Sequence, residues 1–203
     1  MHIPTADTDT LELLPFREAL EKSGQRGDYD AARWLYVPDF YTEYRYILGT
    51  RGEKPLICIG VNPSTAAPDA LDPTLQSVQR IALSNGYDSF IMFNVYAQRA
   101  TRPNDMERVC NEALHRANME AFDYILSLSE QPAVWAAWGN IIEQRAYLKD
   151  CLADMIAIGE RHSAQWYTAG RRSVKGHPHH PLYLKATSPL DAFDIRAYCA
   201  ECL

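Results

Sequence analysis

The sequence predicts an α/β fold: three layers, helix, sheet and helix, around a central, mainly parallel four-stranded sheet. Three observations predict it. Four short continuous apolar runs occur, "PLICIGV", "SFIMFNVYA", "PAVWAAWG" and "AQWYTAG". Stretches with apolar residues at helical spacing separate them. Gly, Pro and Asn punctuate the changes from one kind of element to the other. A short unbroken apolar run is how a strand buried on both faces reads. Strands alternating with helices imply a parallel sheet covered on both sides.

The elements follow in order. Residues 1–30 are mixed and polar and form an N-terminal helical extension of a single domain spanning 1–203. A helix is expected near "TLELLPFREALEKSG", closed by Gly24. Residues 32–63 read as strand, turn, strand, with "YRYILG" alternating and Gly52 at a turn. A helix near "DPTLQSVQRIALSNG" has Asp72 as N-cap, Pro73 in the first helical position and Gly86 at its end. "PNDMERVCNEALHRANMEAFDYILSLSE" and "IIEQRAYLKDCLADMIAIGE" are helical, and the tail from Ser188 forms a last short helix.

Net charge is −6, from 26 acids against 20 bases, which argues against indiscriminate polyanion binding but not against local basic patches. No apolar run reaches membrane-spanning length, and "MHIPTADTDTLELLPF" lacks the basic start and apolar stretch of a signal peptide. A monomeric cytoplasmic protein with no membrane association is expected. The five cysteines are an odd set and suggest no disulfide framework. Cys199 and Cys202 have a metal-like spacing, but no second pair accompanies them, whereas structural zinc sites take four ligands. No metal or cofactor is expected.

In parallel sheets ligands sit beyond the carboxyl ends of the strands. Those ends carry "GVNPST", "FNVYAQRAT", "WGN" and "GHPHHPLY", so four polar segments should converge on one edge. Asn62 precedes Pro63, which fixes the direction of its side chain; it either serves a site or satisfies its own turn. Asn94 interrupts "FIMFNVY", where an unpaired amide costs roughly 1–3 kcal/mol; it either reads a planar base edge or bonds neighbouring backbone. A positioned histidine from His177, His179 and His180 would donate to a developing anion. From Arg161 to Leu190 there is no Asp or Glu. Arg171, Arg172 and Lys175 in that window, with Arg99 and Arg102 after the second apolar run, suggest phosphate contact.

"YRYILG…PLICIGVNPSTA…DPT", "FNVYAQRAT", "WAAWG" and "GHPHHPLYL" resemble the bacterial family called domain of unknown function 1643, over about residues 34 to 184. The same four segments, in the same order, resemble the uracil-DNA glycosylase superfamily, "GVNPS" being similar to the first motif of its mismatch-specific branch. That resemblance implies the superfamily fold and a set of roles. Asn62 would hold the attacking water or the sugar, with Asp69 or Asp72 a possible carboxylate. Asn94 would read the edge of a flipped base in a pocket formed with Gly60, Val61, Pro63 and Ser64, with Phe93 or Tyr96 stacking. His177 would stabilise charge on the departing base, while Arg99, Arg102, Arg171, Arg172, Lys175, His179 and His180 would meet DNA.

Two departures qualify the likeness. Asn62 stands where classical members have a water-activating Asp, and an amide is no general base. Ser64 stands where they have a bulky Tyr, leaving space beside the 5-position of a pyrimidine. The resulting expectation is a DNA glycosylase acting on damaged or 5-modified pyrimidines, with a role in defence against phages carrying modified bases. The rivals are a reader that binds modified nucleotides without cleaving, and an N-glycosidase acting on free nucleosides or nucleotides.

Overall fold

Seven strands make one mixed sheet in the computed structural model, which covers residues 1–203. They are β1 (Trp34–Val37), β2 (Ile47–Thr50), β3 (Pro55–Gly60), β4 (Ser89–Asn94), β5 (Ala133–Ala136), β6 (Gln165–Ala169) and β7 (Leu190–Ala192). The four apolar runs are β3 to β6. They pair parallel, side by side in the order β4-β3-β5-β6.

The expected four strands are therefore only the middle of the sheet. β1 and β2 form an antiparallel pair, and β2 lies antiparallel against β4. At the other edge β7 lies antiparallel to β6. β7 has three residues, two of them exposed, and offers no apolar run from which to read it.

The helices are α1 (Phe16–Glu21), α2 (Pro73–Ser84), α3 (Glu112–Leu126), α4 (Tyr147–Arg161) and α5 (Ile195–Cys202). α2 starts as its sequence dictates: the Asp72 carboxylate accepts from Leu75 N at 3.0 Å, with Pro73 beside it. α3 is shorter than expected, because Asn111 caps it by accepting from Ala113 N and Leu114 N. Upstream, Glu107 N donates to Gln98 Oε1 at 2.8 Å, and Thr8 donates to the Glu107 carboxylate through its backbone N and its hydroxyl. Those bonds hold residues 106–110 out of helical geometry and pin the N-terminal extension, whose helical content is α1 and one short turn at Thr8–Thr10. α4 begins later than expected, after a separate short turn at Gly139–Glu143.

Strand parity sorts the core onto two faces. Ile57, Ile59, Ile91 and Phe93 point towards α1, α3, α4 and α5, in a core of 37 buried residues. Leu56, Cys58, Phe90 and Met92 point towards α2, in a core of 15. Asn94 shares the parity of Phe90 and Met92, so its side chain leaves the sheet on the thinner, α2 side. No helix is long and apolar enough to cross a membrane.

Candidate functional site

Beyond the C-terminal ends of β3 and β4 lies a cleft of about 380 Å³, within the lower range of small-molecule sites. Three of the four strand-end segments line it, and of the third only the residue that follows it does. Gly60, Val61, Asn62, Pro63 and Ser64 come from the first, Asn94, Ala100 and Thr101 from the second, and His180 and Leu182 from the fourth, while Ile141 follows "WGN". Arg45, Thr65, Asp72 and Thr74 complete the polar lining.

The first two segments are held together by continued pairing past the strands. Val95 N donates to Gly60 O, Tyr96 N to Val61 O and Ala100 N to Pro63 O, at 2.8–2.9 Å. A Cβ on Gly60 would stand 2.6 Å from Met92 Cε and 3.2 Å from Asn94 Oδ1, so glycine is what lets the Asn94 amide sit against β3. Asn94 is 1% exposed, and neither Nδ2 nor Oδ1 has a partner. The alternative raised by the sequence, that neighbouring backbone satisfies this amide, is thereby removed. Asn62 donates through Nδ2 to Ala100 O at 2.7 Å and Pro63 O at 3.1 Å, which leaves its Oδ1 as the free end of the group. Ser64 Oγ bonds Thr101 Oγ1 at 2.9 Å.

The histidine that reaches the cleft is His180. Its Nδ1 accepts from Leu182 N at 3.3 Å, so in the neutral ring Nε2 carries the proton. Burial, reinforced by His179, holds its pKa below the ordinary 6.5, and the ring is neutral at pH 7. Because the unfolded chain binds this proton more readily, the His180 contribution to stability is complete above pH 6.5 and is lost as pH falls below it. Urea midpoints at pH 7.5 and 5.5 check this: His180→Gln should lose less stability on acidification than the parent.

His177 does not line the cleft. It is 1% exposed, with Nδ1 on the Tyr198 hydroxyl at 2.9 Å and Nε2 on the Glu143 carboxylate at 3.3 Å. Both ring nitrogens are occupied by α5 and the 139–143 turn, so His177 is a structural anchor. Phe93 has the opposite parity to Asn94 and packs on Phe122, ring centroids 5.2 Å apart. Tyr96 is buried with its hydroxyl on the Glu107 carboxylate. Neither aromatic can stack in the cleft. Asp69 is exposed at a left-handed turn (φ 56°) and accepts from Trp34 Nε1 at 3.1 Å, outside the cleft. Asp72 is the carboxylate that lines it.

The basic residues divide. Arg99 is fully buried and donates to Ser64 O, to Ala66 O at 3.2 Å and to the Tyr36 hydroxyl at 3.1 Å. It clamps the 62–72 loop from inside and cannot meet a phosphate backbone. Lys175 is paired with Glu143. Arg102 is exposed between two residues of the cleft mouth, Thr101 and Pro103. Arg171, Arg172 and His179 line a second cleft of about 820 Å³ with Asn140 and, again, His180. The two clefts meet at that histidine.

Arg45 was missed by the sequence reading. It is 1% exposed, donates through Nη1 to Ala66 O at 3.2 Å, leaves Nε without a partner and forms no ion pair. Burial, with Arg99 beside it, pushes its pKa down to about 9, which still leaves it charged at neutral pH. The signal was present: Arg45 lies between Tyr44 and Tyr46, both buried in the thicker core, so alternation turns the charge to the other, also covered, side of the sheet.

The family model described as "Protein of unknown function (DUF1643)" matches residues 45–182, a span that begins at Arg45 and takes in His180. No curated protein and no solved structure matches the chain significantly.

Proposed function

The chain belongs to the DUF1643 family, and we propose that it is a DNA glycosylase-like hydrolase that takes an extruded pyrimidine into the cleft between β3 and β4 and cleaves its N-glycosidic bond. The observation that carries this reading is Asn94, a buried side-chain amide whose donor and acceptor both lack partners at the end of a parallel strand. Such a group costs stability unless a ligand pairs with it, and its side-by-side donor and acceptor suit the edge of a pyrimidine. The resemblance of the strand-end segments to the uracil-DNA glycosylase superfamily, and the parallel core of four strands between helices, favour the same reading.

Asn62 Oδ1 would orient the attacking water, and Asp72 would accept its proton. His180 Nε2–H would donate to the departing base as a neutral ring. The C–N bond breaks with its electron pair on the base, the sugar takes the water oxygen, and the water proton passes through Asp72 to solvent or the base. Ser64 leaves space beside the 5-position, so a damaged or 5-modified pyrimidine is the preferred substrate, and modified phage DNA is its natural source. Arg171 and Arg172, across the second cleft from His180, would carry the phosphates of the extruded strand.

A reader that binds without cleaving is the second reading. It is favoured by Asn62, whose amide nitrogen is already committed to two carbonyls and which cannot remove a proton. Mass spectrometry of free base, after incubation with oligonucleotides carrying uracil, thymine mismatches or 5-modified cytosines and with modified phage DNA, separates the two. Base should be released, and Asn62→Ala should suppress release. Gel retardation without release would establish the reader, and equal activity on mononucleotides the free-nucleotide N-glycosidase.

A further inference from the structure

Two guanidinium groups lie under the cleft with no carboxylate paired to either. Arg45 lines it, and Arg99 stands behind, holding the loop. Uncompensated buried charge is expensive, and burial without a partner is not how arginines are normally accommodated. The local carboxylate is Asp72, and one of its oxygens is engaged in capping α2. Two positive groups against one negative leave the cleft floor positive, beside the orphaned amide of Asn94.

A positive floor next to a pair of unmet amide atoms suits a planar ring that bears negative charge. We propose that Arg45 makes the cleft an anion site, which binds a pyrimidine as its ring anion in preference to the neutral ring. This rests on the reading of the cleft as a pyrimidine pocket and names the form of the base it holds best. On cleavage the electron pair of the C–N bond stays on the ring, so the ring anion is the species formed at departure. A fixed guanidinium that binds this anion more tightly than the neutral base lowers the barrier by that difference. It also supplies what the chain lacks in a general base at position 62: a better leaving group. Arg45 Nε has no partner within the protein and is itself buried, so the guanidinium would act on the ring chiefly through its charge.

The test is calorimetric titration of the full chain with free bases at fixed ionic strength. Uracil is neutral at pH 7.5, whereas 5-nitrouracil is a ring anion there and becomes neutral on acidification. Orotate carries its charge on a carboxylate substituent, and inorganic phosphate carries it without a ring. The anion of 5-nitrouracil should bind about tenfold or more tightly than uracil, the size of a charge-assisted hydrogen bond, and its advantage should fall as the ring is protonated. Arg45→Gln should remove that advantage, while Arg171→Ala with Arg172→Ala should leave it in place.

Equal affinity for uracil and 5-nitrouracil in the parent overturns the proposal. So does an advantage that survives Arg45→Gln, or a preference for orotate or phosphate without one for the ring anion. Should Arg45→Gln fail to fold, Arg45→Lys and the pH series on the parent decide the matter. Failure of the glycosylase reading is distinguishable. Ring-anion preference without base release from DNA retains the anion site and removes the enzyme, and release without that preference does the reverse.

Discussion

Asn94→Val is expected to abolish pyrimidine binding while leaving the protein at least as stable as before, by about 1 kcal/mol in favour of the variant. The two effects have one cause. In the free protein neither atom of the Asn94 amide has a partner, so the parent carries the desolvation cost of a buried amide, roughly 1–3 kcal/mol. Valine has no such cost and suits a strand. The neighbours do not depend on the amide: Asn118 Nδ2 donates to the backbone carbonyl of Asn94, which the substitution keeps. Thermal denaturation with and without ligand checks both halves. The variant should melt at or above the parent's temperature when free and gain nothing from ligand. A clear loss of stability would show instead that Asn94 is satisfied in the free protein and is not a reading group. Asn94→Asp should also lose binding, because a carboxylate has no donor to offer and would bring a negative charge into the cleft that Arg45 lines.

Arg99→Ala is expected to destabilise the fold by about 3 kcal/mol or more, and to disable the cleft. Its guanidinium bonds Ser64 O and Ala66 O from below and the Tyr36 hydroxyl beside them, and stacks 4.2 Å over Tyr41. Hydrogen bonds to a charged group are worth about 1.5–3 kcal/mol each, and removing this one side chain strands the Ser64 carbonyl and leaves Ala66 O with only its bond from Arg45. The loss is a large share of an ordinary domain's 5–15 kcal/mol. Urea unfolding gives the magnitude. Arg99→Lys should recover part of the stability and less of the binding, because one ammonium cannot reach the same set of acceptors. A change within about 0.5 kcal/mol would mean that Arg99 does not hold the loop.

Much of this was legible in the sequence. The parallel core was readable because β3 to β6 are buried on both faces and so are written as apolar runs. The start of α2 was readable because Asp72 and Pro73 act locally. What escaped depends on partners distant in the chain. β7 exists because β6 offers an edge, not because "LDA" favours a strand. α3 starts at Glu112 because Glu107 is bound to Thr8 and Gln98. At the site, Gly60, Asn62, Ser64 and Asn94 followed from strand ends. The choice among three histidines did not, because Tyr198 and Glu143, which withdraw His177, come from other parts of the chain. Phe93 could have been set aside from parity alone, because it faces away from Asn94; Tyr96 could not, because the Glu107 carboxylate is what withdraws it. Arg45 was within reach by parity as well.

The unequal cores on the two sides of the sheet bear on how this family can diversify. The larger core holds four helices, and no residue of those helices lines the cleft. The smaller one, under α2, holds Met92 and Leu75, which form the cleft wall. Stability resides mostly in a layer whose helices stand away from the cleft and which reaches it only through loop residues such as Val61 and Ala100. Substitutions on the α2 side can therefore reshape the cleft at modest risk to the fold, and related chains can vary its lining without first rebuilding the scaffold that supports it.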